Sequence, residues 1–303
     1  MDHKTFLRTL SHETRKRLTT RDDAPAQERL MVHFGLIILL MLYIGIGLPL
    51  WWALIPLQGI LIAFLFNVAH EATHKSLLID ERQNDWVGRV AGGMIALPFE
   101  WFRWFHMAHH KYTNDPDHDP ELQGGDTPET TTQFAWHVSG IPYWTSQARV
   151  LVRLATGDTT DSFLPGSAMA RTEREAQILL GIYGVTLVSL IFTGVVFWVW
   201  LLPVFLGQMA LRVVLLAEHA DCAENDDMFV NTRTTLTTRL VRWVTWNASY
   251  HVEHHAYPTV PFHNLPDLHQ LMKAELRVTS DGYGAFTRDF LARRAVMVGH
   301  PAE

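Results

Sequence analysis

Two long stretches of the chain contain no Asp, Glu, Lys or Arg: Leu30 to Ala69 and Ala176 to Leu211. A single membrane crossing needs roughly 20 apolar residues. Each stretch is about twice that, so each predicts a helical hairpin that crosses a bilayer and returns. Breaks are expected at Pro49-Leu50-Trp51-Trp52 and at Trp200-Leu201-Leu202-Pro203, since proline interrupts a helix and tryptophan favours the membrane interface. Four crossings follow, at about 31–48, 53–70, 177–198 and 202–219. The expected fold is all-α and integral to the membrane, with two hairpins and a helical cap. Three segments are expected: 1–29 before the membrane, 30–262 as the membrane and catalytic domain, and 263–303 after it.

Between the hairpins, 75–175 must begin and end on one side. The apolar run Val90–Phe99, flanked by Arg89 and Arg103, is too short to span and predicts an interfacial or re-entrant segment. Residues 143–156 alternate Trp, Val and Leu with two arginines and predict a surface helix. Pro and Asp concentrate at 114–120, which marks a loop.

Charge sets the expected orientation. Lys4, Arg8, Arg15, Lys16, Arg17, Arg21 and Arg29 precede the first hairpin, and neither hairpin turn carries Lys or Arg. The positive-inside rule then puts both termini and the middle segment in the cytoplasm, with a bacterial inner membrane as the expected location. The first thirty residues hold no apolar core of the kind a cleaved signal peptide needs. Of 303 residues, 18% are charged, below the roughly 25% of soluble domains. The net charge of −6 gives no general field for nucleic acid. The single cysteine, Cys222, excludes an intramolecular disulfide framework and a thiolate metal cluster.

Seventeen histidines change the picture. Nine fall in four clusters: His70-Glu-Ala-Thr-His74, His106-Met-Ala-His109-His110, His219, and His251-Val-Glu-His254-His255. On a helix, positions i, i+3 and i+4 share a face, so each cluster aims its imidazoles one way. His70 and His219 fall at the cytoplasmic ends of the second and fourth predicted spans, so all nine can converge on one side of the membrane. Neutral imidazole suits iron, zinc, copper or nickel. Nine ligands exceed the six of an octahedral ion, which implies two ions. An all-histidine set without cysteine favours a redox-capable first-row metal, and iron is the expected one.

Glu71, Asp115, Asp119, Glu218 and Glu253, with Asn247, are candidates for holding the outer ring nitrogens of these histidines, and Asp117 and Asp221 lie close by in the chain. The remaining histidines (His3, His12, His33, His137, His263, His269 and His300) are read as structural, and His118 as a loop cap or outer support. His70-Glu71-Ala72-Thr73-His74 also matches the H-E-x-x-H helix of zinc proteases, with Glu71 as general base. That alternative, an intramembrane zinc metalloprotease, leaves seven clustered histidines without a role.

The order of the boxes, interleaved with two membrane hairpins, resembles the membrane fatty acid desaturase and hydroxylase superfamily over about 53–262. Trp246-Asn247, Tyr250-His251, Glu253-His254-His255 and Pro258 carry much of the likeness. Asn114-Asp115-Pro116, Asp119-Pro120-Glu121 and Asn231-Thr-Arg-Thr-Thr235 resemble a bacterial branch acting on fatty acyl chains, carotenoids and small amphiphiles. The resemblance implies two iron ions with O2 as co-substrate, and hydrogen removal from an unactivated C–H bond. The ligands it implies are His70, His74, His106, His109, His110, His219, His251, His254 and His255.

One position departs. Leu215 stands where animal acyl-CoA desaturases place an Asn one turn before the lone histidine. A more open iron there would favour oxygen insertion. The sequence shows no cytochrome b5-like His-Pro-Gly-Gly segment, so electrons are expected from a separate protein of ferredoxin, rubredoxin or cytochrome b5 type.

The expected activity is therefore that of a lipid desaturase. A hydroxylase of the same superfamily, acting on a carotenoid or small amphiphile, is the alternative. A metal carrier is disfavoured because the two apolar stretches lack acidic and basic residues, which transporters place inside their spans.

Overall fold

The computed structural model describes residues 1–124 and 127–299; His300 and the rest of the C-terminus lie outside them. The chain opens with short helices α1 (His3–Thr9) and α2 (His12–Thr19), then the long α3 (Asp23–Gly45). Next come α4 (Ile55–Ala63), α5 (Leu65–Thr73), α6 (Glu81–Met94) and α7 (Phe99–Tyr112). After α8 (Thr131–Val138) and α9 (Ile141–Ala155), two more long helices follow, α10 (Gly166–Ser189) and α11 (Leu202–His219). The remainder comprises α12 (Met228–Asn231), β1 (Thr234–Thr235), α13 (Arg239–Val244), α14 (His251–Ala256), α15 (Leu265–Met272), β2 (Thr279–Ser280) and α16 (Tyr283–Gly299). The architecture is helical, with one two-residue parallel pairing, Thr234 to Thr279 and Thr235 to Ser280.

The chain divides into two compact units. One holds residues 22–106 and 139–211, and the other holds 1–21, 107–138 and 212–303. Helices α7 and α11 each contribute residues to both.

The first unit contains most of the apolar sequence. Among the described residues, three helical stretches are long and apolar enough to cross a membrane: His12–Gly45, Trp51–Thr73 and Phe197–His219. They expose Met31, Leu39, Leu42 and Trp52, as helices facing lipid do. The expected break at Pro49–Trp52 is present as a turn leading into a short 3-10 helix, Trp51–Leu54.

The second hairpin differs from expectation. The stretch 177–198 is not one helix: α10 ends at Ser189, and turns and a bend occupy 190–194. The chain then re-enters a π-helical turn, Phe197–Leu201, which runs straight into α11. Trp200–Pro203 is therefore helical. Pro203 lies inside this continuous helix, and Val199 O, the carbonyl its missing N–H would have met, accepts from the Gln58 amide instead. Thr193 and Gly194, weak helix formers, sit in the actual break.

Close packing and a few polar contacts hold these helices. A Cβ on Gly59 would lie 2.1 Å from Pro203 O, and one on Gly207 1.9 Å from Gly59 O. The backbones of α4 and α11 thus touch at paired glycines, the small-residue contact common between membrane helices. Inside the same layer, His33 Nε2 donates to Leu61 O at 2.8 Å. The Gln58 amide reaches Ile37 O and Val199 O, each at 3.3 Å.

The short apolar run 90–99 does not form its own segment. Its first half ends α6, and its last residue begins α7 after a turn at Ile95–Pro98. The predicted surface helix at 143–156 is present as α9.

The second unit packs its short helices on a core that includes Phe6, Leu18, Phe229, Val252, Leu265 and Met272. This core buries one face of α14 and leaves its histidines turned toward α7 and α11 residues of the same unit.

Candidate metal centre

In the second unit His109, His219, His251 and His255 can each offer one nitrogen, all within 4.8 Å of one another. His109 comes from α7, His219 is the last residue of α11, and the other two lie on α14. The last pair is spaced i, i+4, so one helical face presents both.

Three of the outer nitrogens are hydrogen-bonded by the protein. His109 donates from Nδ1 to both carboxylate oxygens of Asp119 at 3.0 Å. That carboxylate also accepts from the backbone N–H of Asn114 and Glu121, each at 2.9 Å, so the Asp/Pro-rich loop is folded around it. Asn114 takes φ +60, a conformation Asn tolerates better than most residues. His219 donates from Nδ1 to Asn231 O at 3.3 Å. Thr113 donates its hydroxyl to His109 O at 2.8 Å, which leaves its oxygen to accept from His255 Nδ1 at 3.1 Å. His251 Nδ1 lies 3.6 Å from Glu218 Oε1.

These outer bonds fix the tautomers. With Nδ1 carrying the proton, the Nε2 of His109, of His219 and of His255 is an unprotonated lone pair turned inward. His251 Nε2 and His219 Nε2 face each other at 3.0 Å, and His255 Nε2 is buried with no hydrogen-bond partner. That spacing suits a hydrogen bond when one nitrogen carries the proton, or two lone pairs directed at one cation. Adjacent ligands of an octahedral ion with bonds of about 2.1 Å sit about 3.0 Å apart, so the arrangement fits a first-row metal ion.

The charge environment differs between these histidines. Burial pushes His109 down, but Glu121 and Asp119 outweigh it and hold the imidazole above its ordinary range. Burial also works to raise Asp119, and its bonds to His109 and to backbone N–H groups win and hold it low. His255 is pushed well below its ordinary value, first by burial and then by the crowding of His110, His251, His219 and His109. It is a neutral donor.

The same unit holds a second pair, His110 and His254, with Nε2 atoms 3.1 Å apart. The His110 ring stacks on His255 at 4.1 Å between centroids.

The first unit gathers His70, His74 and His106. Their rings are 4.2 Å (His70–His106), 4.9 Å (His74–His106) and 5.4 Å (His70–His74) apart. His74 Nε2 and His106 Nε2 face each other at 2.9 Å. Phe66 stacks beside His70 at 6.3 Å and Phe102 beside His106 at 5.5 Å.

The candidate supporting residues fall in different places. Asp119 and Glu218 reach His109 and His251 as described. Glu253 is fully buried, but its carboxylate meets Thr234 Oγ1 at 2.5 Å and the Nδ1 of His269. Glu71 accepts from Ser76 Oγ at 2.9 Å. Asp115 caps its own turn, accepting from Asp117 N and from His118 Nδ1. Asn247 donates to Phe262 O at 2.9 Å. The sequence reading missed Thr113, Asn231 and His269. Thr113 lies three residues past His110, the one proximity that could have flagged it.

A family model described as fatty acid desaturase matches residues 48–287. Among similar proteins, the sn-1 oleoyl-lipid 12-desaturase of Arthrospira platensis is 23% identical over 250 residues, covering 74% of this chain and 69% of the relative. The sn-1 acyl-lipid omega-3 desaturase (ferredoxin) of a Synechocystis strain is 27% identical over 134 residues, covering 43% of this chain and 36% of the relative. The human sphingolipid delta(4)-desaturase/C4-monooxygenase is 26% identical over 211 residues, covering 65% of this chain and 58% of the relative. The matched regions therefore span between about a third and about seven tenths of these relatives' lengths.

Proposed function

Because the chain belongs to the fatty acid desaturase family, we propose that it is an O2-dependent membrane oxidoreductase that desaturates a fatty acyl lipid. The observation that carries this reading is the gathering of His109, His219, His251 and His255 nitrogens, with the outer nitrogens of His109, His219 and His255 meeting acceptors of the protein.

The proposed ligands of two iron ions are the nine histidines: these four, with His110 and His254 of the same unit, and His70, His74 and His106 of the first unit. Helix α7 carries His106 and His110 one turn apart on the same face. Bound iron would supply O2 activation and the oxidising power for hydrogen removal. The chain supplies the rest. Asp119, Asn231 and Thr113 keep three imidazoles in the donor tautomer. Burial keeps water away from the nitrogens. Phe66 and Phe102 give the His70–His106 side an apolar wall suited to an alkyl chain.

The proposed membrane arrangement has four crossings, the fourth supplied by α10. Its outer face exposes Ile178, Ile182, Val185 and Val188, which suits lipid. The histidine-bearing segments then form a cap on the cytoplasmic side of an inner membrane, in keeping with the arginines and lysines of residues 1–29. The segment boundaries 1–29, 30–262 and 263–303 belong to this proposal. The electron donor is proposed to be a separate protein of ferredoxin, rubredoxin or cytochrome b5 type, the name of the Synechocystis relative favouring the first. The human relative's name pairs desaturation with monooxygenation, which keeps hydroxylation as a second reading.

Metal analysis of the purified chain, with lipid product analysis under O2, tests the proposal. Two iron ions per chain and a lipid lacking two hydrogens support desaturation, and a product carrying an added oxygen supports hydroxylation. A single zinc, with activity abolished by Glu71→Gln and retained in His255→Ala, would establish the protease reading instead.

A further inference from the structure

In the second unit a cavity of about 200 Å³ is lined by Arg233, Arg277 and Arg293, together with Ser280, Phe286 and Asp289. We propose that this cavity is an oxyanion site that takes a phosphate group.

Arg233 carries the argument. It is only 5% exposed, and it forms no ion pair with a carboxylate. Its Nη1 donates to Ala217 O at 2.7 Å, and its guanidinium lies 5.0 Å from the centre of the Phe286 ring. Buried guanidinium groups are ordinarily matched by a carboxylate or another anion, because leaving one uncompensated is costly.

Among the described residues the neighbouring carboxylates supply that charge only in part, Asp221 acting on Arg233 without pairing with it. Asp221 is already divided between Arg293 at 2.7 Å and Arg294 at 2.6 Å. Asp227 faces Arg277 at 3.6 Å and also holds His3. Asp289, the one carboxylate of the lining, pairs with Arg288 at 3.2 Å. Five guanidiniums thus stand against three carboxylates. The excess of two positive charges matches a phosphate monoanion or dianion. Arg277 and Arg293 are about half exposed, so an anion can enter from solvent and meet the buried Arg233. Guanidinium forks suit phosphate better than a single carboxylate would.

The cavity is tied to the end of an apolar helix. Arg233 N donates to Glu218 O at 2.8 Å, and its side chain holds Ala217 O, so it grips the turn of α11 that ends in His219. Phosphate at that place has two sources, a lipid headgroup or free phosphate.

Calorimetric titration of the detergent-solubilised full chain tests the proposal. Inorganic phosphate and short-chain phosphatidic acid serve as separate probes, with sodium chloride as the control. Saturable binding of inorganic phosphate, weakened at least about tenfold in Arg233→Met and Arg277→Gln, supports a free-phosphate site. Binding of phosphatidic acid alone, with the same losses, supports a headgroup site. Arg277 is half exposed, so Arg277→Gln keeps the test decisive should Arg233→Met fail to fold. No binding of either probe, or binding that Arg277→Gln leaves unchanged, overturns the proposal.

Discussion

The two histidine groups are built differently. The His109, His219, His251 and His255 group is braced by polar partners: Asp119, Asn231 O, Thr113 and Glu218 lie at its outer nitrogens. The His70, His74 and His106 group is flanked by the Phe66 and Phe102 rings. The first design fixes protonation and orientation. The second shapes an apolar approach.

The largest expected break in this contrast is His255→Ala. It removes a buried donor of the braced group, so metal content should fall by one ion per chain and activity by more than about 100-fold, beyond the usual range for outer partners. Unchanged metal content would remove His255 from the ligand set. Asp119→Asn comes next. It keeps the shape and loses the charge on His109, so competition against a chelator should show about 10–100-fold weaker metal binding.

On the other side, Phe102→Ala should leave metal content intact. It should cost about 3–5 kcal/mol of stability, read by denaturation in detergent, since Phe102 is buried. Loss of metal in this variant would show that the ring does more than wall the group. Asp115→Asn should have the smallest effect, within about 0.5 kcal/mol of stability and with metal affinity unchanged, because its carboxylate serves only its own exposed turn.

The sequence announced some of these features and hid others for identifiable reasons. The apolar stretches were legible because Leu30 to Ala69 and Ala176 to Leu211 lack any charge, and burial in lipid tolerates few. The histidine clusters were legible because their i, i+3 and i+4 spacing puts the rings on one helical face. The second hairpin break was misplaced. Trp200 and Pro203 read as a turn, but the helix runs through them, with Gln58 meeting the Val199 carbonyl that the proline leaves free, and the break falls at Thr193-Gly194.

The bracing residues were mostly illegible. His255 meets Thr113 across 142 positions of sequence, and the His269–Glu253 pair joins two helices. Neither pairing has a local spacing rule. Asp119 was the exception, standing ten residues from His109 in a loop whose turn residues already suggested a compact fold back.

Helix α7 carries His106, His109 and His110 on little more than one turn. An α-helix is a stiff rod with a rise of about 1.5 Å per residue. A slide or twist of that rod would therefore displace donors of both groups together. Neither could be retuned alone by moving α7, so any adjustment specific to one group must come through α5, α11 or α14.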